Sequence, residues 1–100
     1  MRFVIKVEPE AKQDIQEAIG WYNFQQSGLG RKFYLSFLDN IEQLKTNPYF
    51  QIRYAEVRCL PMAKFPFMVH YSIETSNNIV IIRAVFNTSL DPEKWKERNR

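Results

Sequence analysis

A few charged and titratable residues in the second half of the chain could support chemistry on a phosphate group. Arg58 and Arg83 carry guanidinium groups, which can hold a phosphate or a carboxylate through two hydrogen bonds. His70 is the only histidine of the chain, and either it or Glu56 could exchange the protons of an acid–base reaction. Plainer interpretations stand beside this one. Arg58 could form a salt bridge with Glu56 or Glu74 across strands, and His70 could be a structural residue.

The sequence predicts neither a metal site nor a bound cofactor. His70 has no second histidine and no cysteine at the spacing of metal ligands. The glycine-containing segment GLG lies between two predicted helices, where it makes a turn and not a phosphate-binding loop.

The candidate residues lie on three predicted strands, at residues 54–60, 65–75 and 79–88. Successive side chains of a strand point to opposite faces of the sheet. The alternation therefore places Arg58, His70 and Arg83 together on a face that we expect to carry no helices. The opposite face is expected to be the core, and the side chains assigned to it include Cys59, Phe67, Val69, Tyr71, Ile82, Ala84 and Phe86. Leu60 and Val85 are expected on the face without helices.

The remaining elements complete an α+β pattern. Residues 2–8 alternate as a half-buried strand, and helical periodicity predicts helices at 9–26 and 31–47, joined by the turn SGLG. Gly20 interrupts the first helix, which suggests close approach of another backbone at that point. Asp91 and Pro92 suit the cap and first position of a short final helix at 91–98, with Trp95 as its packing anchor. The predicted order is β-α-α-β-β-β-α, with an αα-hairpin packed on an antiparallel-rich four-stranded sheet.

Composition limits the class of protein. A chain of 100 residues with 45% hydrophobic residues is expected to form a single domain, residues 1–100, with one core. The net charge of +3 is too small for a basic nucleic-acid-binding tail and fits an acidic partner, protein or RNA. The single cysteine, Cys59, excludes a disulfide within the chain. No apolar window approaches the length of a membrane span, and we expect a cytoplasmic protein.

Six segments together resemble a known family. They are WYNFQQSGLGRKF (21–33), NP (47–48), VR (57–58), KFPFMVHY (64–71), IIRAVFN (81–87) and DPEKWKER (91–98). Occurring in this order, they are similar to the RelE/ParE superfamily of toxins from type II toxin–antitoxin systems. The resemblance covers nearly the whole chain and is closer to the ParE-like, "plasmid stabilization" branch.

The resemblance implies a small toxin that an antitoxin neutralises by wrapping an extended and helical segment around it. RelE-like members cut mRNA on the ribosome, and ParE-like members poison DNA gyrase. Many relatives have a histidine near the end of the last strand and an arginine three residues later, where this chain has Asn87 and Leu90. The nuclease branch often has a tyrosine where Thr88 stands. Asn87 cannot exchange a proton near neutral pH, which counts against ribonuclease activity.

Three hypotheses about function follow. The first is a ParE-like toxin that binds and inhibits a target such as DNA gyrase and forms a hetero-oligomer with an acidic antitoxin segment. That segment would cover apolar grooves beside the helical hairpin and the sheet edge. The second is a RelE-like, ribosome-dependent mRNA endoribonuclease, in which Arg58 and Arg83 hold phosphate and His70 or Glu56 handles protons. The third is a degenerate member that still binds its antitoxin without harming the cell.

Overall fold

The protein is represented by a computed structural model that describes residues 2–98. Local sequence places the helix ends: Pro9 begins the first helix, where its missing N–H costs nothing, and Gly28 supplies a left-handed turn, with φ 88°, before the second. Within the described residues the elements are β1 (Val4–Val7), α1 (Pro9–Gln25), α2 (Leu29–Glu42), a 3₁₀ turn (Gln43–Lys45), β2 (Ile52–Tyr54), β3 (Val57–Pro61), β4 (Phe67–Glu74), β5 (Ile79–Asn87) and α3 (Pro92–Arg98).

The strands form one five-stranded sheet in the order β1-β5-β4-β3-β2. β1 runs parallel to β5, and the other neighbours are antiparallel. The predicted α+β class and the helical hairpin are confirmed. The sheet has five strands instead of four because an additional strand, β2, ends at Tyr54, where the strand predicted at 54–60 begins, and a tight turn separates it from β3. In that turn Ala55 and Glu56 adopt φ values of 39° and 67°.

α1 and α2 pack on one face of the sheet, which we call the hairpin face. Their buried side chains meet those of the strands in the main core, whose members include Ile15, Phe33, Phe37, Leu44, Val69, Tyr71, Ile82 and Val85. The close approach expected at Gly20 occurs elsewhere in the hairpin. A Cβ on Gly20 would meet nothing within 4 Å, whereas a Cβ on Gly30 would lie 2.5 Å from the carbonyl oxygen of Ile19.

A β-bulge changes the side-chain alternation in the middle of β5. His70 pairs with Ala84 and Tyr71 pairs with Ile82, so Arg83 is an extra residue in the ladder. Beyond the bulge the two faces are exchanged. Ala84 and Phe86 therefore lie on the face opposite the hairpin, and Val85 joins the main core. The face assignment predicted for these three residues is wrong.

The second face is not open, because α3 covers part of it. Trp95 packs there against a second buried cluster that contains Cys59, Met68, Ala84 and Phe86. We call this the α3 face. As predicted, Trp95 is a packing residue and Asp91 caps the helix, since the Asp91 Oδ1 accepts the backbone N–H of Glu93 at 3.0 Å. None of the helices within residues 2–98 has the length and apolarity needed to cross a membrane.

Candidate functional site

His70 is enclosed on the α3 face. Its side chain has no exposed surface, and its ring lies 4.9 Å from the ring of Phe86 and 4.8 Å from that of Trp95, measured between centroids. The hydroxyl of Tyr54 lies 3.0 Å from the His70 Nδ1, and the Cys59 Sγ lies 3.5 Å from the same nitrogen. Water and a substrate are therefore kept away from this imidazole by aromatic side chains.

Burial also determines the charge of His70. Desolvation by burial, together with a smaller effect of the positive charge of Arg53, lowers the pKa of His70 from 6.5 to about 4. The imidazole is neutral at physiological pH and cannot act as a proton donor there. Burial raises the pKa of the neighbouring Cys59 thiol to about 11, so this cysteine is not a reactive thiolate either.

Arg58 lies on the opposite face from His70. It pairs with Tyr71 in the sheet, whereas Cys59 pairs with His70, so the face predicted for β3 is reversed. The Arg58 Nη1 donates to the carbonyl oxygen of Phe50 at 2.6 Å, and the guanidinium carbon stands 5.3 Å from the ring centre of Tyr49. Arg58 thus holds the irregular segment that leads into β2.

Tyr71 holds the same segment from inside the core. Its hydroxyl donates to the carbonyl oxygen of Pro48 at 2.7 Å. Burial raises the pKa of Tyr71 to about 12, so the hydroxyl keeps the proton that it donates. Arg58 and Tyr71 together fix residues 48–50 through hydrogen bonds to two of their carbonyl oxygens.

The three predicted site residues do not meet at one point. Arg83 extends from the bulge over the α3 face, where its Nε donates to the Ser72 Oγ at 2.8 Å. His70 lies behind Trp95 on that face, and Arg58 lies on the other. The predicted face shared by Arg58, His70 and Arg83 is therefore wrong, and a catalytic role for any of them stays a prediction. Glu56 sits in the exposed turn between β2 and β3.

Arg53 is the cation whose charge acts on both His70 and Cys59. Nothing in the sequence singles out this residue, because the strand predicted at 54–60 begins after it. Among residues 2–98, no group of three or more histidine, cysteine, aspartate or glutamate side chains is placed to hold a metal ion.

This architecture also occurs in solved structures of other proteins. No protein-family model and no curated protein sequence matches the chain. Among solved structures, a chain of the chromosomal ParDE system of Pseudomonas aeruginosa superimposes with a TM-score of 0.76, covering 86% of this chain and 96% of that one at 13% identity. This chain therefore shares the fold of that ParDE-system chain. A chain of the toxin–antitoxin complex RelBE2 of Mycobacterium tuberculosis also matches, with a TM-score of 0.65 over 87% of this chain and 99% of that one, again at 13% identity.

Three residues at which this chain departs from the pattern of the family that it resembles have structural partners. The Asn87 Oδ1 accepts hydrogen bonds from the backbone N–H and the hydroxyl of Ser89, at 2.8 and 2.7 Å. Leu90 packs against the α3-face cluster, and the backbone N–H of Thr88 donates to the carbonyl oxygen of Pro66 at 2.9 Å. These residues shape the connection from β5 to α3.

The surface of this chain offers an apolar groove between the two hairpin helices and β1. It has a volume of about 250 Å³ and is lined mainly by Val7, Ile15, Tyr34, Phe37, Leu38 and Ile41. Tyr34 and Leu38 are 41% and 39% exposed. We call this the hairpin groove. Exposed apolar side chains that line a concave surface are typical of a protein-binding site.

Proposed function

We propose that this chain is the toxin of a type II toxin–antitoxin system and that it acts in the cytoplasm in the ParE-like manner, by binding a target such as DNA gyrase. The proposal rests on the similarity of the fold to chains of the ParDE and RelBE2 toxin–antitoxin systems. In each comparison the superposition covers most of this chain and nearly all of the matched chain.

The surroundings of the predicted catalytic residues favour binding over chemistry. General acid–base catalysis needs a group that reaches the substrate and titrates near the working pH. His70 is buried and has its pKa lowered to about 4. The Arg58 guanidinium donates a hydrogen bond to the carbonyl oxygen of Phe50. Inhibition of a target by surface contact requires neither residue to touch a substrate.

We propose that the antitoxin occupies the hairpin groove and continues along the outer edge of β1. The backbone N–H groups of Val4 and Glu8 donate into the sheet, to Asn78 and Ile82. By alternation, the backbone groups of Ile5 and Val7 point outward and can pair with an added strand. Val7 also lines the hairpin groove, so a helical segment in the groove could lead directly into that strand.

Charge favours an acidic antitoxin segment at this edge. Arg2 and Lys45 line the hollow beside β1, and Lys12 lines the hairpin groove. Lys6 is exposed on β1 itself. Glu42 offsets part of this positive charge, because it forms ion pairs with Arg2 at 3.7 Å and with Lys45 at 3.0 Å. Unlike charges across such an interface increase the association rate and the specificity of binding.

Induced expression with and without the small open reading frame beside the gene tests the toxin function. We expect growth arrest that co-expression of the neighbour relieves. Purified protein should then inhibit gyrase supercoiling and leave mRNA on ribosomes intact. Cleavage of the message would favour the RelE-like alternative, and normal growth with soluble protein would contradict toxicity.

Two leucines of α2 provide a matched test of the antitoxin site. Leu38 lines the hairpin groove and is 39% exposed, whereas Leu35, at 44%, lines a different hollow. We expect Leu38→Glu to remain toxic and escape relief by the antitoxin, because a charge would enter the apolar groove. The growth arrest caused by Leu35→Glu should be relieved by the antitoxin to the same extent as that caused by the unaltered protein. Equal relief of both variants would rule out the groove.

A further inference from the structure

β5 continues beyond the strand that pairs with it on its outer side. β1 pairs with β5 only from Ile79 to Ile82 and then turns into α1, while β5 runs on to Asn87. At Val85 a side chain takes the place of the missing strand, because the Asp14 Oδ2 of α1 accepts the Val85 N–H at 3.0 Å. The last residues of β5 therefore form a second sheet edge beside α1.

The direction of the backbone groups along this edge follows from the pairing with β4. Thr88 N–H donates to the Pro66 oxygen on the β4 side, and Phe67 is the residue opposite Asn87. Backbone groups alternate in direction along a strand. The Asn87 N–H and the Val85 C=O therefore point away from β4, toward the space beside α1. The Asn87 C=O is already engaged, because it accepts the Leu90 N–H at 3.0 Å.

That space is a groove with an aromatic wall. Two adjoining hollows, each of about 410 Å³, share the side chains of Trp21, Phe67 and Asn87. Trp21 is 58% exposed, so its indole presents a large apolar surface directly beside the backbone edge. We call this the β5 groove. An aromatic side chain beside open backbone groups suits an extended peptide, which needs both main-chain partners and a side-chain contact.

The charge on this groove is opposite to that of the β1 edge. Asp14 and Glu17 line it. Arg98 neutralises Asp14 through contacts of 3.1 and 2.8 Å to its two oxygens. Glu17 is exposed, and its contact in the structure is a 3.3 Å hydrogen bond from the neutral amide of Gln13. A negative charge thus remains next to the indole, and this combination favours a cation that can also lie over the ring.

We propose that the β5 groove binds an extended segment of a second protein partner, carrying a lysine or arginine next to an apolar residue. The segment adds as a short strand to the Val85–Asn87 edge. Its apolar side chain packs on Trp21, and its cation pairs with Glu17. This partner differs in charge from the acidic antitoxin segment proposed for the β1 edge.

Two blocked synthetic peptides of the same length test the proposal, one with the sequence Val-Lys-Phe-Lys-Val and one with Val-Glu-Phe-Glu-Val. Binding is followed by fluorescence anisotropy and by the amide NMR signals of the full chain. We expect the basic peptide to bind and to shift the Asn87 amide signal. Trp21→Ala should weaken this binding about tenfold and Glu17→Gln about fivefold. Phe24→Ala, at an 89% exposed position of the same helix, should leave it unchanged.

Preference for the acidic peptide, an unmoved Asn87 signal, or equal losses in Trp21→Ala and Phe24→Ala would each overturn the assignment. Dimerisation of the protein through Trp21, detected by sedimentation, would assign the groove to a second copy instead. These outcomes do not depend on toxicity, because the peptide assay is carried out on purified protein.

Discussion

The imidazole of His70 meets the indole of Trp95 edge-on, with ring centroids 4.8 Å apart and planes at 71°. This contact joins the middle of the sheet to the last described helix. It explains why the only histidine of the chain is inaccessible, and it makes the packing of α3 dependent on His70 remaining neutral. A charged imidazole in this aromatic enclosure would lack solvation.

The first prediction concerns pH. Because the pKa of His70 is about 4 in the folded protein and 6.5 without burial, the unfolded chain binds more protons between these values. The contribution of the neutral imidazole to the free energy of unfolding is therefore fully present above pH 6.5. It decreases as the pH falls toward 4, by roughly 3 kcal/mol in all. Urea unfolding at pH 7.5 and pH 4.5 measures the difference.

The matched variant for this measurement is His70→Gln, which keeps a polar side chain but does not titrate. Carboxylates also titrate in this range, so the comparison between the two proteins is decisive. The variant should lose clearly less stability on acidification than the unaltered chain. An equal loss in both proteins would show that His70 is not the group responsible.

The second prediction concerns Arg58. Removing its guanidinium in Arg58→Ala leaves the carbonyl of Phe50 without its donor, and we expect a loss of about 2 kcal/mol in the free energy of unfolding. Protease cleavage near residues 48–50 should become faster. Arg53→Ala removes an exposed cation from the neighbouring strand and should change stability by less than about 0.5 kcal/mol. Unchanged stability of Arg58→Ala together with lost toxicity would point to a catalytic or target-binding role instead.

The third prediction compares two glycines of the hairpin. In Gly30→Ala the new methyl group would lie 2.5 Å from the backbone oxygen of Ile19 and 2.8 Å from the Asn23 side chain. The two helices must separate, at a cost of about 1–3 kcal/mol. In Gly20→Ala the methyl group meets nothing within 4 Å, and the helix should gain about 0.5–1 kcal/mol. Thermal unfolding of both variants measures the contrast, and a stabilised Gly30→Ala would contradict the close helix packing.

The sequence alone determined the elements whose causes are local. Pro9 and Gly28 lie at the start of α1 and before α2, Asp91 caps α3, and helical periodicity marks the buried side of the hairpin. Each of these depends on neighbours within a few residues in the chain. The six segments that resemble the RelE/ParE superfamily likewise led to the fold that the solved structures share.

Only the tertiary structure decided how the candidate site residues are arranged. The bulge at Arg83 arises from pairing between β4 and β5, and one extra residue exchanges the faces of Ala84, Val85 and Phe86. The register of β3 against β4 sends Arg58 to the face opposite His70. Whether His70 meets solvent depends on Trp95, which is 25 positions later in the sequence but in contact in the fold. Period-two alternation carries no information about such long-range pairing, which is why the helices were predictable and the site was not.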